Sequence, residues 1–341
     1  MSTVWDRGYT DTPKFDISIA VLNHDGTPEL STSHAIYNAL NGTQLSTIPN
    51  PLFQGYVVAF DVLPDSFCPD CEGLELVSGT RVWSVDASGV ARDVQDAPDG
   101  FNNVSLVAVY DYDGNNELDI VSVRDSIVEI WDPRTGLSFK KITLPAGAGN
   151  DFLGIYPAGP LKPIVSDLNN DGNMNVIVGH DGTMHALNKD LNIIWSADGF
   201  VESSRSVAPT VFDLNGDGNK EVIFRGEANS QHFQVTSSLY NRYLRVMDAN
   251  GNQLDSIFAS NRTWFHDNGG IVADSDGDGH VEIWVAGNDG SSISKIESCT
   301  QEWVCGRQVW NQKNYHPVAI NDDMSVPQLS LIHISEPTRQ D

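Results

Sequence analysis

Thr210–Phe224 reads TVFDLNGDGNKEVIF, and this stretch decides the fold. An apolar run enters a loop rich in Asp, Asn and Gly, and an acid, Glu221, leads out into a second apolar run. The same pattern recurs as IVSDLNNDGNMNVIVG from Ile164 and IVADSDGDGHVEIWVAG from Ile271, and with variation as AVYDYDGNNELDIV from Ala108. Two degenerate copies lie upstream, AVLNHDGTPEL from Ala20 and AFDVLPDSFCPDCEGLELVSG from Ala59. Their first loop positions are Val21, Asp61, Asp111, Asp167, Asp213 and Asp274, spaced 40 to 61 residues apart. Six copies along a chain of 341 residues mark a repeat architecture.

Between loops the repeat reads as β-structure. Around the fourth copy, Pro163–Ser166 and VIVG at Val176–Gly179 are short apolar runs. The sequence His180-Asp181-Gly182 signals a turn, and Thr183–Asn188 then alternates before a last run at Leu191–Ala197. Four short strands per repeat make a propeller blade, which stacks on its neighbours to bury what one unit cannot. A continuous run such as VIVG suits a strand covered on both faces. Helix signals are nearly absent, so the alternative is a β-solenoid. Glu129–Gly136, EIWDPRTG, looks like the end of a WD repeat but occurs once, and reads as a strand followed by a turn.

The loops carry the chemistry. In Asp213-Leu-Asn215-Gly-Asp217-Gly-Asn219-Lys-Glu221, the oxygens at positions 1, 3 and 5 converge when the chain curls. Gly218 at position 6 permits the sharp turn, position 7 offers its carbonyl, and Glu221 closes the shell at position 9. Hard oxygen donors in that number suit Ca²⁺ better than Mg²⁺. An EF-hand shares the opening of this motif but needs a Glu at position 12 and a following helix. Position 12 is Ser122, Val178, Phe224 or Val285, which excludes it.

The candidate ligands differ in quality between copies. Asp274, Asp276, Asp278 and Glu282, with His280 at position 7, form the most acidic set. Asp111, Asp113, Asn115, Glu117 and Asp119 keep the spacing, with Asn116 where Gly is usual. Asn tolerates the left-handed conformation needed there. Asp167, Asn169, Asp171 and Asn173 are closed by Asn175 instead of an acid, so a weaker site is expected. The first copy has Val21 for its opening Asp and is expected to bind nothing despite Asn23, Asp25 and Glu29. In the second, Asp61 and Glu75 flank a longer insert containing Asp65, a marginal set. A plain Asx turn is the structural alternative for any single loop.

This pattern resembles the FG-GAP, or VCBS-type, repeats of integrin-α-like β-propellers, over roughly residues 15–290. The resemblance implies an all-β propeller of about seven blades, six of them visible as repeats, with calcium held in hairpin loops that rigidify each blade. Gly306–Pro327 resembles a segment that follows such propellers in large surface proteins of gliding bacteria exported by the type IX route. Its core is Arg307-Gln-Val-Trp310-Asn311-Gln312 with Asn321-Asp322-Asp323. Leu329–Arg339, LSLIHISEPTR, resembles the translation of a transposase adapter used in DNA library preparation. Residues 1–328 are therefore expected to be one propeller domain with an incomplete last blade, part of something longer, and 329–341 to be non-native.

Composition narrows the function. The chain has 20 Lys+Arg against 46 Asp+Glu, a formal charge of −26. No basic face can form for nucleic acid or for an anionic membrane surface. No apolar run approaches the ~18 residues of a membrane helix, so direct insertion is not expected. Hydrophobic residues are 40% of the chain, enough for a folded core. Besides Glu117 at its carbonyl position, twelve of the carboxylates fall in the four best loops.

Cys68 and Cys71 form C-P-D-C inside the second loop, and Cys299 and Cys305 lie close together near the end. Four cysteines allow three pairings. Local disulfides Cys68–Cys71 and Cys299–Cys305 are the expected ones and fit an oxidising, extracellular or cell-surface compartment. No G-x-S-x-G, H-E-x-x-H or G-x-x-x-x-G-K is present. In Trp264-Phe265-His266-Asp267-Asn268, adjacent residues of a strand would point to opposite faces, so His266 and Asp267 are not expected to act jointly. The expectation is a non-catalytic calcium-stabilised propeller that mediates adhesion, binding a protein or glycan within a larger secreted protein. The alternative, a polysaccharide lyase of the calcium-containing propeller kind, would need basic residues facing an acidic glycan.

Overall fold

The computed structural model describes residues 17–23, 25–50, 57–98, 106–124, 126–146, 162–198, 209–227, 242–260, 270–286, 293–298 and 303–306. Among them the chain is all-β, and each repeat forms one antiparallel sheet whose neighbours follow chain order. The first sheet holds Ser18–Ala20, Glu29–Ser31, Ala35–Asn38 and Gln44–Thr47, β1 to β4. The second holds Val58–Phe60, Glu75–Ser78, Arg81–Val85 and Ala91–Asp96, β5 to β8. The third holds Leu106–Tyr110, Asp119–Arg124, Ile127–Asp132 and Leu137–Thr143, β9 to β12. The fourth follows with Ile164–Ser166, Asn175–His180, Thr183–Leu187 and Ile193–Asp198, β13 to β16. The fifth has Thr210–Phe212, Glu221–Glu227, Arg242–Met247 and Gln253–Ser260, β17 to β20. The sixth shows Ile271–Ala273, Glu282–Ala286 and Ile293–Ile296, β21 to β23. These meanders are the blades of a β-propeller.

The described chain packs as two compact units. One comprises its residues up to Arg124 with Glu129–Phe139, and the other the 126–128 stretch with the residues from Lys140 onward. Within each unit the core lies between consecutive blades, because successive strand residues face opposite ways. On β6, Leu76 packs with Ile36, Ile48 and Trp83, while Val77 packs with Phe60, Ile120 and Trp131. On β18, Val222 and Phe224 join Ile177 and Met184, whereas Ile223 joins Leu244, Val272 and Ile283. A strand with a core on each side must be apolar throughout, which is why these runs lack the alternation of a one-sided sheet. Each fully buried side chain of this size contributes about 1.5–3 kcal/mol. Two indoles fasten consecutive blades as well. The Trp83 N–H donates to Pro49 O and the Trp195 N–H to Ala249 O, each at 3.0 Å.

Two kinds of turn repeat. His180 pairs with Thr183 across Asp181 and Gly182, both at positive φ (48° and 76°), the two-residue hairpin expected there. The outer hairpin between third and fourth strands opens on an Asp or Asn whose side chain accepts backbone N–H groups: Asn38, Asp86, Asp132, Asn188 and Asp248. Asp132 starts the turn after β11, so EIWDPRTG is a strand and a turn as its single occurrence implied. Gly251 closes the Asp248 turn at φ 82°, and a Cβ on it would lie 2.7 Å from Trp195 Cγ.

Candidate metal centres

Each candidate loop joins the first and second strands of its blade, and backbone chemistry shapes all of them alike. The position-6 residue is left-handed in five copies: Gly26 (φ 78°), Asn116 (67°), Gly172 (82°), Gly218 (89°) and Gly279 (94°). Its N–H donates to the opening Asp where there is one, from Asn116 to Asp111, Gly172 to Asp167, Gly218 to Asp213 and Gly279 to Asp274, at 2.8–3.2 Å. The position-7 N–H donates to position 5 at 2.7–2.8 Å. The pairs are Thr27 to Asp25, Glu117 to Asn115, Asn173 to Asp171, Asn219 to Asp217 and His280 to Asp278. The chain therefore curls inward with its oxygens on one side, as the motif implies.

The closing residue has one duty in all six copies. One side-chain oxygen accepts the position-2 N–H: Glu29 from Leu22, Glu75 from Val62 and also Leu63, Asp119 from Tyr112, Asn175 from Leu168, Glu221 from Leu214, Glu282 from Ser275, at 2.8–3.1 Å. The Ser275 hydroxyl donates to the same Glu282 oxygen. Asn175 does this as well as an acid, so the negative charge at position 9 is surplus to the shape of the loop.

Where that charge accumulates differs. In the third loop Asp111, Asp113 and Asp119 bring carboxylate oxygens within 4.8 Å of one another, and in the sixth Asp274, Asp276 and Glu282 do the same. Among the described residues these are the two convergent acidic triads. The fourth and fifth loops carry Asn169 and Asn215 at position 3, whose amides donate to Asp171 and Asp217 at 3.1 and 3.2 Å. In the second loop Asp61 and Glu75 still bracket the turn, while Asp65 lies exposed on the insert.

Both triads have a basic side chain that local spacing did not reveal. Arg134, on the turn after β11, bonds Asp119 Oδ1 at 2.7 Å and pairs with Glu117 at 2.9 Å and Asp132 at 2.6 Å. Lys295, on β23, donates to Asp276 at 2.6 Å, pairs with Glu297 at 2.5 Å and stands 3.8 Å from Glu282. Each triad thus holds a positive partner on one of its carboxylates, Arg134 on Asp119 and Lys295 on Asp276.

Protonation follows position. Burial pushes the closing acids up, Asp119 to about 6, Glu221 to about 7 and Glu75 to about 8, against the pull of the N–H groups they accept. Glu29 is raised for the same reason. The exposed rim acids go the other way. The Asn173 and Asn219 N–H groups hold Asp171 and Asp217 low, and Lys295 holds Asp276 low. The two acidic triads are all-oxygen donor sets that could hold a metal ion.

Neighbouring loops also touch within the second unit. Lys220 N donates to Leu168 O at 2.8 Å, joining the fifth loop to the fourth. Between the sixth and fifth, Val304 is interposed: Val281 N donates to Val304 O and Val304 N to Leu214 O, both at 3.0 Å. His280 Nδ1 lies 2.6 Å from Trp303 O, so its ring serves this junction. In the insert of the second loop, Cys68 and Cys71 form a disulfide with Cα atoms 5.1 Å apart. Cys305 is an exposed free cysteine among the described residues, and its expected partner Cys299 lies outside them. His266 and Asp267, Arg307–Gln312, Asn321–Asp323 and the 329–341 tail also lie outside.

No protein-family model matches the sequence, and no curated protein does. Among solved structures, the Vibrio cholerae biofilm matrix protein Bap1 is similar, with a TM-score of 0.64 at 12% identity, covering 92% of this chain and 74% of that one. The WD40 domain of Toxoplasma gondii coronin aligns at TM-score 0.45 and 12% identity, over 88% of this chain and 72% of that one. An Agrocybe aegerita lectin that recognises non-reducing terminal N-acetylglucosamine aligns at 0.44 and 15%, over 83% and 80%. At these identities the likeness is one of fold.

Proposed function

We propose that this chain is a non-catalytic, calcium-stabilised β-propeller of the FG-GAP type, mediating adhesion to a protein or glycan as part of a larger secreted or cell-surface protein. The observation that carries the reading is the surplus of loop charge. Hydrogen bonds already shape every loop, yet two loops gather three carboxylates each, with Asp119 and Glu282 buried, and burial opposes the ionisation of Asp119. Asp111, Asp113 and Asp119, and Asp274, Asp276 and Glu282, would hold the ions. Asp167, Asn169, Asp171 and Asn175, and Asp213, Asn215, Asp217 and Glu221, would form weaker sites. Bound calcium supplies positive charge that lets these oxygens stay ionised and close together.

Such ions would fix the inter-strand loops, and through the backbone bonds between loops they would hold neighbouring blades in register. That leaves a rigid scaffold whose exposed loops are free to recognise a partner. The Cys68–Cys71 disulfide supports an oxidising compartment. Bap1 is a biofilm matrix protein, which supports an adhesive role. The type IX resemblance of Gly306–Pro327 supports export from the cell.

The test is retention of the purified chain on immobilised polysaccharides and matrix proteins, in calcium and after chelation. Calcium-dependent retention on at least one surface is expected. Turnover of an acidic glycan to unsaturated products would instead make the chain a lyase.

A further inference from the structure

The first loop lacks an opening Asp, and its sequence alone reads as a loop without an ion. Its geometry reads otherwise. Glu29 is 0% exposed, and its Oε2 accepts the Leu22 N–H at 2.8 Å, the duty shared by every closing residue. Its Oε1 is buried and has no hydrogen-bond partner. In three of the other loops the corresponding oxygen has a partner: Asp119 Oδ1 accepts from Arg134 at 2.7 Å, Glu221 Oε1 from the Asn215 amide at 3.5 Å, and Glu282 Oε1 pairs with Lys295 at 3.8 Å.

The rest of the first loop is wired like the metal loops. Gly26 is left-handed, Thr27 N donates to Asp25 Oδ1 at 2.7 Å, and Asp25 N donates to Asn23 Oδ1 at 3.2 Å. The matching bond in the fifth loop runs from Asp217 N to Asn215 Oδ1 at 2.9 Å. Val21, at the missing position, is 1% exposed and belongs to the packing. What distinguishes this loop is a carboxylate oxygen, out of water, with no hydrogen-bond partner among the described residues. An isolated buried anion is too costly to persist, so a counter-charge or a proton must meet it.

We propose that the first loop is a further cation site, with Glu29 Oε1 as its buried ligand, Asp25 as its second acid and a hard divalent cation of the calcium class as its occupant. Asp25 and Glu29 carry two negative charges, which one divalent ion neutralises, and the missing opening carboxylate makes this the weaker partner of the acidic triads. The site rests on the orphaned oxygen alone, and only the choice of ion rests on the calcium reading above.

Calcium titration of the full, metal-depleted chain by calorimetry tests it, comparing wild type with Glu29→Gln and Asp25→Asn. Gln keeps the acceptor for the Leu22 N–H and nearly the same volume, and Asp25 is exposed, so at least one variant retains the fold. Five equivalents are expected in wild type, four loops and this one, and one fewer in each variant, with the remaining affinities changed less than about twofold. Equal stoichiometry in wild type and both variants overturns the proposal. Glu29 would then be a neutral acid, visible as a protonated-carboxyl infrared band that disappears in Glu29→Gln. A wild type that binds no calcium at all overturns the calcium reading of every loop, which is a separate result.

Discussion

The fourth and sixth loops are built on one backbone plan and differ in charge. In the fourth, Asn175 accepts the Leu168 N–H at 3.0 Å, and in the sixth Glu282 accepts the Ser275 N–H at 2.8 Å. Left-handed glycines, Gly172 and Gly279, occupy the same position, and opening aspartates accept their N–H groups. Yet the sixth loop gathers a carboxylate triad, while the fourth substitutes amides at positions 3 and 9. The shape of the loop is thus a property of its hydrogen bonds, and the acidity is a separate property laid over it. Substitutions can divide the two.

Glu282→Ala strikes both at once. It leaves the Ser275 N–H and hydroxyl without their charged acceptor, so it is expected to cost about 1–3 kcal/mol in chelator and more in calcium, measured by urea unfolding. Glu282→Gln separates them. It keeps the acceptor, so the chelated protein should change by less than about 1 kcal/mol. Calcium would then stabilise it less than wild type by up to about 2.7 kcal/mol, the share of one site at a hundredfold excess over its Kd. Equal losses for Gln and Ala would mean that the charge is part of the shape, and the comparison would break.

A smaller effect is expected from Asn175→Asp, which gives the fourth loop the charge it lacks. Its calcium affinity should rise about tenfold, equivalent to about 1.4 kcal/mol, with little change in chelator. The pH profile sharpens the same distinction. Glu221, Asp119 and Glu75 bind protons more tightly folded than unfolded, so metal-free stability is highest on the acid side and falls as pH rises from about 4.5 towards 8. Calcium favours the ionised forms, so the decline should flatten or reverse in its presence. A metal-free protein that gains stability between pH 5 and 8 contradicts these assignments. Smallest is Arg134→Gln, which removes the cation already seated on Asp119. It should strengthen calcium binding at the third loop severalfold while lowering metal-free stability, both read from the same titration and melt.

Much of this was legible in the sequence because its causes are local. Gly218 and Asn116 sit where the turn demands a left-handed residue, and Val222-Ile223-Phe224 is apolar throughout because neighbours cover both faces of its strand. Cys68 and Cys71 are close enough in sequence for their pairing to be read directly. Arg134 and Lys295 were missed because strand pairing, not spacing, brings them to Asp119 and Asp276. Arg134 even stands inside the one stretch that resembled a different repeat. The orphaned oxygen of Glu29 was not legible, because the motif names the residue and not which of its oxygens finds a donor. The part of the loop that leaves an oxygen unmatched is its last.

The central claim is that the surplus loop charge is held for calcium. Thermal unfolding of the intact chain, freed of metal and then measured in saturating calcium, in equal magnesium and in chelator, tests it most directly. The account predicts that calcium raises the midpoint by roughly 10 °C or more over chelator, with magnesium far behind. Coincident midpoints in calcium and chelator would contradict it.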